Sequence, residues 1–92
     1  MYSLKFVDDL KKLIEAVRSE DTGSREKLAR SLNISINTLW KYQQILKKCN
    51  IPVRYSTKAQ TYFFQLKEGQ EVRCIWEFGL YENGKKISKK LD

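Results

Sequence analysis

The sequence predicts an α+β chain of three helices, then a β-hairpin, then a further C-terminal β segment. Three features of the chain predict it. Apolar residues recur at spacings of three and four through positions 4–49, the repeat of a helix with one buried face. Asn50-Ile51-Pro52 ends that pattern, because proline cannot continue a helix and restricts the residue before it. Beyond it, apolar and polar residues alternate in short runs, the repeat of half-buried strands.

The first helix is read from Leu4, Val7, Leu10, Ile14 and Val17, with Phe6 and Leu13 widening the stripe and Ser3 as its cap. Asp8 and Asp9 are expected on its outer side. Glu20-Asp21-Thr22-Gly23 breaks it. Ser24 caps the second helix, whose buried edge is Leu28, Ala29 and Leu32. Asn33 ends it, since asparagine tolerates the left-handed backbone of a sharp turn, and Ile34 plugs that turn. Ser35 caps a third helix over 35–49, with Leu39, Tyr42, Ile45, Leu46 and Cys49 inward.

Strands are expected at 53–56 and 61–66, joined by Thr57-Lys58-Ala59-Gln60, a loop without the usual glycine. Ile51, Val53 and Tyr55 alternate on one arm, and Tyr62, Phe64 and Leu66 on the other. The clearest strand by alternation is 72–80, through Val72, Cys74, Trp76, Phe78 and Leu80. Asn83-Gly84 is a tight-turn pair, and a basic tail follows. The 92 residues divide into one domain at 1–66 and an extension at 67–92, packed on that domain or dimerising.

Charge is segregated along the chain. Positions 1–24 carry four basic and five acidic residues, and positions 68–92 carry five of each. Positions 25–67 carry nine basic residues against Glu26 alone, a balance of +8 that supplies the whole net charge of +7. Such segregation is expected of a surface that meets a polyanion. No run approaches the roughly 20 apolar residues of a membrane span, and no secretory signal is read at the start. Cys49 and Cys74 form no metal or redox motif and are read as reduced thiols, so the expected location is cytoplasmic.

An enzyme is not expected. The chain has no histidine, no glycine-rich phosphate loop and no nucleophile elbow. Asp8 and Asp9 are read as solvated charges, and Cys74 as an inert strand thiol. No cofactor, metal or small-molecule ligand is expected.

Leu28-Ala29, Leu32, Ile34-Ser35, Thr38-Leu39, Leu46 and Tyr62-Phe63-Phe64 carry a resemblance to small bacterial winged helix-turn-helix DNA-binding proteins with a DeoR-like layout. With the first helix and the hairpin, it covers about positions 4–66. Two positions depart from that pattern: Asn50 stands where glycine is usual, and Lys27 where a capping-box glutamate is common. The resemblance implies a winged helix-turn-helix fold with the hairpin as wing, and a major-groove reading helix at 35–49.

On a helical wheel of that third helix, Asn37, Trp40, Gln44 and Lys47 line up opposite the buried face, with Ile36, Lys41 and Gln43 beside them. Asn and Gln suit adenine, Lys suits guanine or phosphate, and an apolar side chain suits the thymine methyl. The base-contacting candidates are therefore Ile36, Asn37, Trp40, Lys41 and Gln44. The phosphate candidates are Ser24, Arg25, Arg30, Thr38, Lys47, Arg54 and Lys58. Each has a plainer reading beside it: Asn37 and Gln44 as solvated residues, Trp40 packed on the second helix, and each cation as an idle surface charge.

The partner expected is double-stranded DNA, with a homodimer through 72–80 because an uncovered apolar strand invites pairing. The role implied is a transcriptional regulator or an accessory of a mobile element. The other reading is a protein-interaction module docking through 72–80. RNA comes third, because the A-form major groove is too narrow for a reading helix.

Overall fold

The computed structural model describes residues 4–73 and 79–87; the side chain of Leu4 is not described. The chain is α+β, with three helices and two small antiparallel sheets. In order they are α1 (Leu4–Ser19), α2 (Arg25–Ser31), α3 (Ile36–Lys48), β1 (Val53–Ser56), β2 (Thr61–Phe64), β3 (Gln70–Arg73), β4 (Gly79–Glu82) and β5 (Lys85–Lys86). Ser3, expected as the cap of α1, and Cys74, Trp76 and Phe78 lie outside the described residues.

Local chemistry sets the helix ends. The Ser24 hydroxyl accepts from the Lys27 amide at 3.2 Å, and the Ser35 hydroxyl accepts from the Thr38 amide at 3.0 Å. Both following helices stop alike. Asn33 and Asn50 sit in the left-handed region, at φ of 56° and 65°. Ile34 then donates back to the Ala29 carbonyl, and Ile51 to the Leu46 carbonyl. These are Schellman closures with asparagine where glycine is commoner, and an isoleucine covers each turn.

The core gathers Leu10, Leu13, Ile14 and Val17 of α1, Leu28 and Ala29 of α2, Leu39 and Leu46 of α3, Ile51, Val72 and Leu80. Fully burying one such side chain stabilises by about 1.5–3 kcal/mol. The loop before α2 is tied to the hairpin by a buried hydroxyl pair. Thr22 and Thr61 lie 3.2 Å apart at their hydroxyls, the Thr22 amide donates to Thr61 Oγ1, and the Tyr62 amide donates to Thr22 Oγ1.

In the first sheet β1 pairs with β2, from Val53 opposite Phe64 to Ser56 opposite Thr61. Ser56 Oγ accepts from the Ala59 amide, and Gln60 takes the left-handed backbone at φ 53° that the missing glycine would have supplied. The second strand ends at Phe64 rather than at position 66. Gln65 still donates to the Pro52 carbonyl, but Pro52 has no N–H to return, so the ladder stops. Leu66 is correspondingly exposed.

The expected strand at 72–80 is not one strand. Its two ends belong to β3 and β4, which pair antiparallel with Val72 opposite Leu80; positions 74–78 lie outside the described residues. The register joins residues of like parity, so apolar alternation reads the same in this reversal as in a continuous strand. Val72 and Leu80 face the chain's own core. β4 then turns into β5 through Asn83-Gly84, with φ of 52° and 84°, as a two-residue primed hairpin turn requires. Arg18 of α1 donates to the Val72 carbonyl of the second sheet at 2.7 Å, and Asn50, just after α3, donates at 3.4 Å to the carbonyl of Ile87, just after β5.

Among the described residues, no helix is long and apolar enough to cross a membrane.

Candidate nucleic-acid interface

α3 divides its residues by face. Leu39 and Leu46 are buried, and Tyr42 and Ile45 pack partly against the core. The opposite side carries Ile36, Asn37, Trp40, Lys41 and Lys47, all exposed, with Gln43 and Gln44 half-buried. Trp40 is 56 % exposed, so packing against α2 does not enclose it.

A carboxylate anchors the helix from within. Asp9 was expected on the outside of α1 and is instead buried. It stands three residues after Phe6 and four before Leu13, which places it on the edge of the apolar stripe. Its Oδ2 accepts from Lys5 Nζ at 2.8 Å and from the Tyr42 hydroxyl at 3.1 Å. The Lys5 hydrogen bond holds the Asp9 carboxyl below its ordinary value against desolvation, with Tyr42 adding to the effect. Burial first, and then the bond to Asp9, push the Tyr42 phenol up. Phe6 meets the Tyr42 ring edge to face, with centroids 5.5 Å apart. Asp8 does remain on the outside, paired with Lys12 at 3.0 Å.

Beside α3 the chain forms an open groove of about 490 Å³. One wall is Gln43, Gln44 and Lys47 of α3; the other is Arg54 and Tyr55 of β1 with Tyr62 of β2. The Tyr55 and Tyr62 rings meet edge to face at 4.8 Å, which stiffens the hairpin wall. Gln43 and Tyr55 were not among the expected site residues. The helical wheel places Gln43 beside the outward line of α3 without naming it as a contact. Tyr55 had no such signal: alternation groups it with buried Ile51, yet it is exposed and lines the groove.

The expected cations differ in how committed they are. Among the described residues, Arg30, Lys41, Lys47 and Lys58 are exposed and stand in no salt bridge. Arg54 is exposed, and its Nε donates to Gln65 at 3.0 Å, which aims the guanidinium along the hairpin. Arg25 lies 3.7 Å from Glu26, whose carboxyl is held below its usual range chiefly by its own backbone N–H. Glu26 therefore stays charged and offsets Arg25, the most compromised of the expected phosphate contacts. The Ser24 oxygen is engaged in capping, and Thr38 is half-buried and accepts from Ser35 Oγ at 2.9 Å.

Ile36, Asn37, Trp40, Lys41, Gln44 and Lys47 thus share one side of α3, with Arg54 across the groove. Ser24, Arg25 and Arg30 belong to α2 and its cap, and Lys58 to the hairpin loop. Cys49 is a free, half-buried thiol at the end of α3. Compared with known protein families, with curated proteins and with solved structures, the chain gives no significant match.

Proposed function

We propose that this chain is a sequence-specific double-stranded DNA-binding protein of winged helix-turn-helix architecture, acting as a transcriptional regulator and not as an enzyme. In this reading α2 and α3 are the helix-turn-helix pair and the β1–β2 hairpin is the wing. α3 enters the major groove, which is wide enough for a helix. Asn37, Trp40, Lys41 and Gln44 face base edges. Arg30, Lys47, Arg54 and Lys58 meet phosphates on either side.

One observation carries the proposal. The solvent side of α3 presents exposed Asn37, Lys41 and Lys47 around Ile36 and Trp40, its cations stand in no salt bridge among the described residues, and its inner side is pinned to α1 through Asp9 and Tyr42. A helix held rigidly from behind with an uncommitted polar front suits groove reading. A homodimer on a two-fold site would have to form without Val72 and Leu80, which are buried in the chain's own core. The same burial takes two side chains away from the rival reading, a protein-docking strand at 72–80.

The experiment is selection from random duplex by the purified chain, followed by anisotropy titrations on the winning sequence. The expected result is an enriched site bound far more tightly than heparin or scrambled duplex. Equal affinity for site and heparin, unaltered in Trp40→Ala and Lys41→Ala, would overturn it.

A further inference from the structure

We infer that Ile36 and Trp40 form an apolar step that reads the C5-methyl groups of thymine, so that the bound site contains A·T pairs recognised by methyl contact. The inference rests on the DNA-binding reading above and names the chemistry at the centre of that interface.

Most of the solvent side of α3 is polar, and these two residues are not. Among the described residues only four large hydrophobic side chains are exposed: Ile36 at 39 %, Trp40 at 56 %, Tyr55 at 39 % and Leu66 at 39 %. Two of the four stand one helical turn apart on the same helix, so they share a face. Tyr55 belongs to the groove wall, and Leu66 follows β2.

Leaving an indole and a branched aliphatic chain in water forgoes the stabilisation their burial would bring. Ile36 is the first residue of α3 after its Ser35 cap, and Trp40 follows in the next turn. That is the portion of a reading helix that lies nearest base edges. The apolar group that a major groove presents is the thymine C5-methyl; the other edge groups there are hydrogen-bond donors and acceptors. Asn37 and Lys41, each one position further along, place polar groups beside each apolar one. The pattern suits alternate methyl and hydrogen-bond contacts along a base-pair ladder.

A protein partner fits the same pair less well. An interface between proteins buries about 800 Å² on each side. Two side chains set among Asn37, Lys41, Gln44 and Lys47 supply only a small apolar island, in a field of positive charge that favours phosphate.

The test uses the full chain and its selected duplex, remade with deoxyuridine in place of thymine one position at a time. Uracil keeps every hydrogen-bonding group and loses only the methyl. The expected result is a loss of about fourfold in affinity for each contacted methyl, the burial free energy of one such group expressed as a ratio. Ile36→Ser or Trp40→Gln then abolishes the thymine–uracil difference at one position. Lys41→Ala weakens both duplexes alike and keeps the difference. Equal binding of thymine and uracil duplexes at every position, or a selected site without thymine, overturns this inference and leaves DNA binding standing. A chain that prefers no duplex over heparin overturns the DNA-binding reading and this inference together.

Discussion

The Tyr42 hydroxyl donates to the Asp9 carboxylate across 3.1 Å, joining the inner face of α3 to α1. Burying a carboxylate is costly unless donors meet it, and here Lys5 and Tyr42 both donate to Oδ2. The bond lies on the side of α3 opposite Trp40. It orients the helix without occupying the surface that would meet a partner.

Asp9→Ala strands the Tyr42 hydroxyl and should cost roughly 1–3 kcal/mol of stability, read from urea melts. Tyr42→Phe removes the same bond with its ring packing on Phe6 kept, and should cost less. An Asp9→Ala chain as stable as the parent would show that the contact contributes nothing.

The same carboxylate predicts an acid sensitivity. Its folded value lies below its ordinary value of 3.8, so its stabilising contribution is complete above that value. That contribution is lost as pH falls from there through the lower folded value. The wild-type chain should therefore lose stability faster than Asp9→Asn over that acid window, with the two curves parallel near neutrality. Thermal melts along a pH series check it, and parallel curves throughout would refute it.

Backbone handedness at the helix ends gives a further test. Asn33 is exposed and held at φ 56°, where a β-carbon is crowded. Asn33→Ala should destabilise by about 1–2 kcal/mol, while Asn33→Gly should be close to neutral. Denaturant midpoints of the two variants measured side by side decide it.

If the proposed duplex interface is right, affinity should fall steeply with salt. Each phosphate neutralised adds about 0.9 to the slope of log affinity against log salt concentration. Lys47→Ala and Lys58→Ala, both at exposed cations outside any salt bridge among the described residues, should each reduce that slope by about one. Anisotropy titrations over a salt series measure it; an unchanged slope would remove that residue from the phosphate contacts.

The Thr22–Thr61 pair offers a last one. Thr61→Val keeps the shape and strips the hydroxyl that receives the Thr22 amide, leaving a buried donor unmet. A loss of roughly 1–3 kcal/mol is expected, with the hairpin's amides exchanging faster than those of α1. Equal hydrogen exchange in hairpin and helix would show that the tie does not hold the wing.

Features set by near neighbours could be read without coordinates. Ser24 and Ser35 cap, and Asn33 and Asn50 turn left-handed, because a residue's own side chain and the few beside it settle such geometry. The polar front of α3 was readable for the same reason, since helical periodicity separates Trp40 and Asn37 from Leu39 and Leu46. Other features needed residues distant in the chain to meet. Asp9 is buried because Tyr42, on another helix, supplies a donor. β3 and β4 pair antiparallel with Val72 and Leu80 both buried in the core, an arrangement that parity alone cannot tell from a single strand. Tyr55 lines a groove because the fold sets β1 beside Gln43, Gln44 and Lys47 of α3. Short-range backbone preferences act within a few residues, whereas burial is a property of whichever surfaces the completed fold brings together.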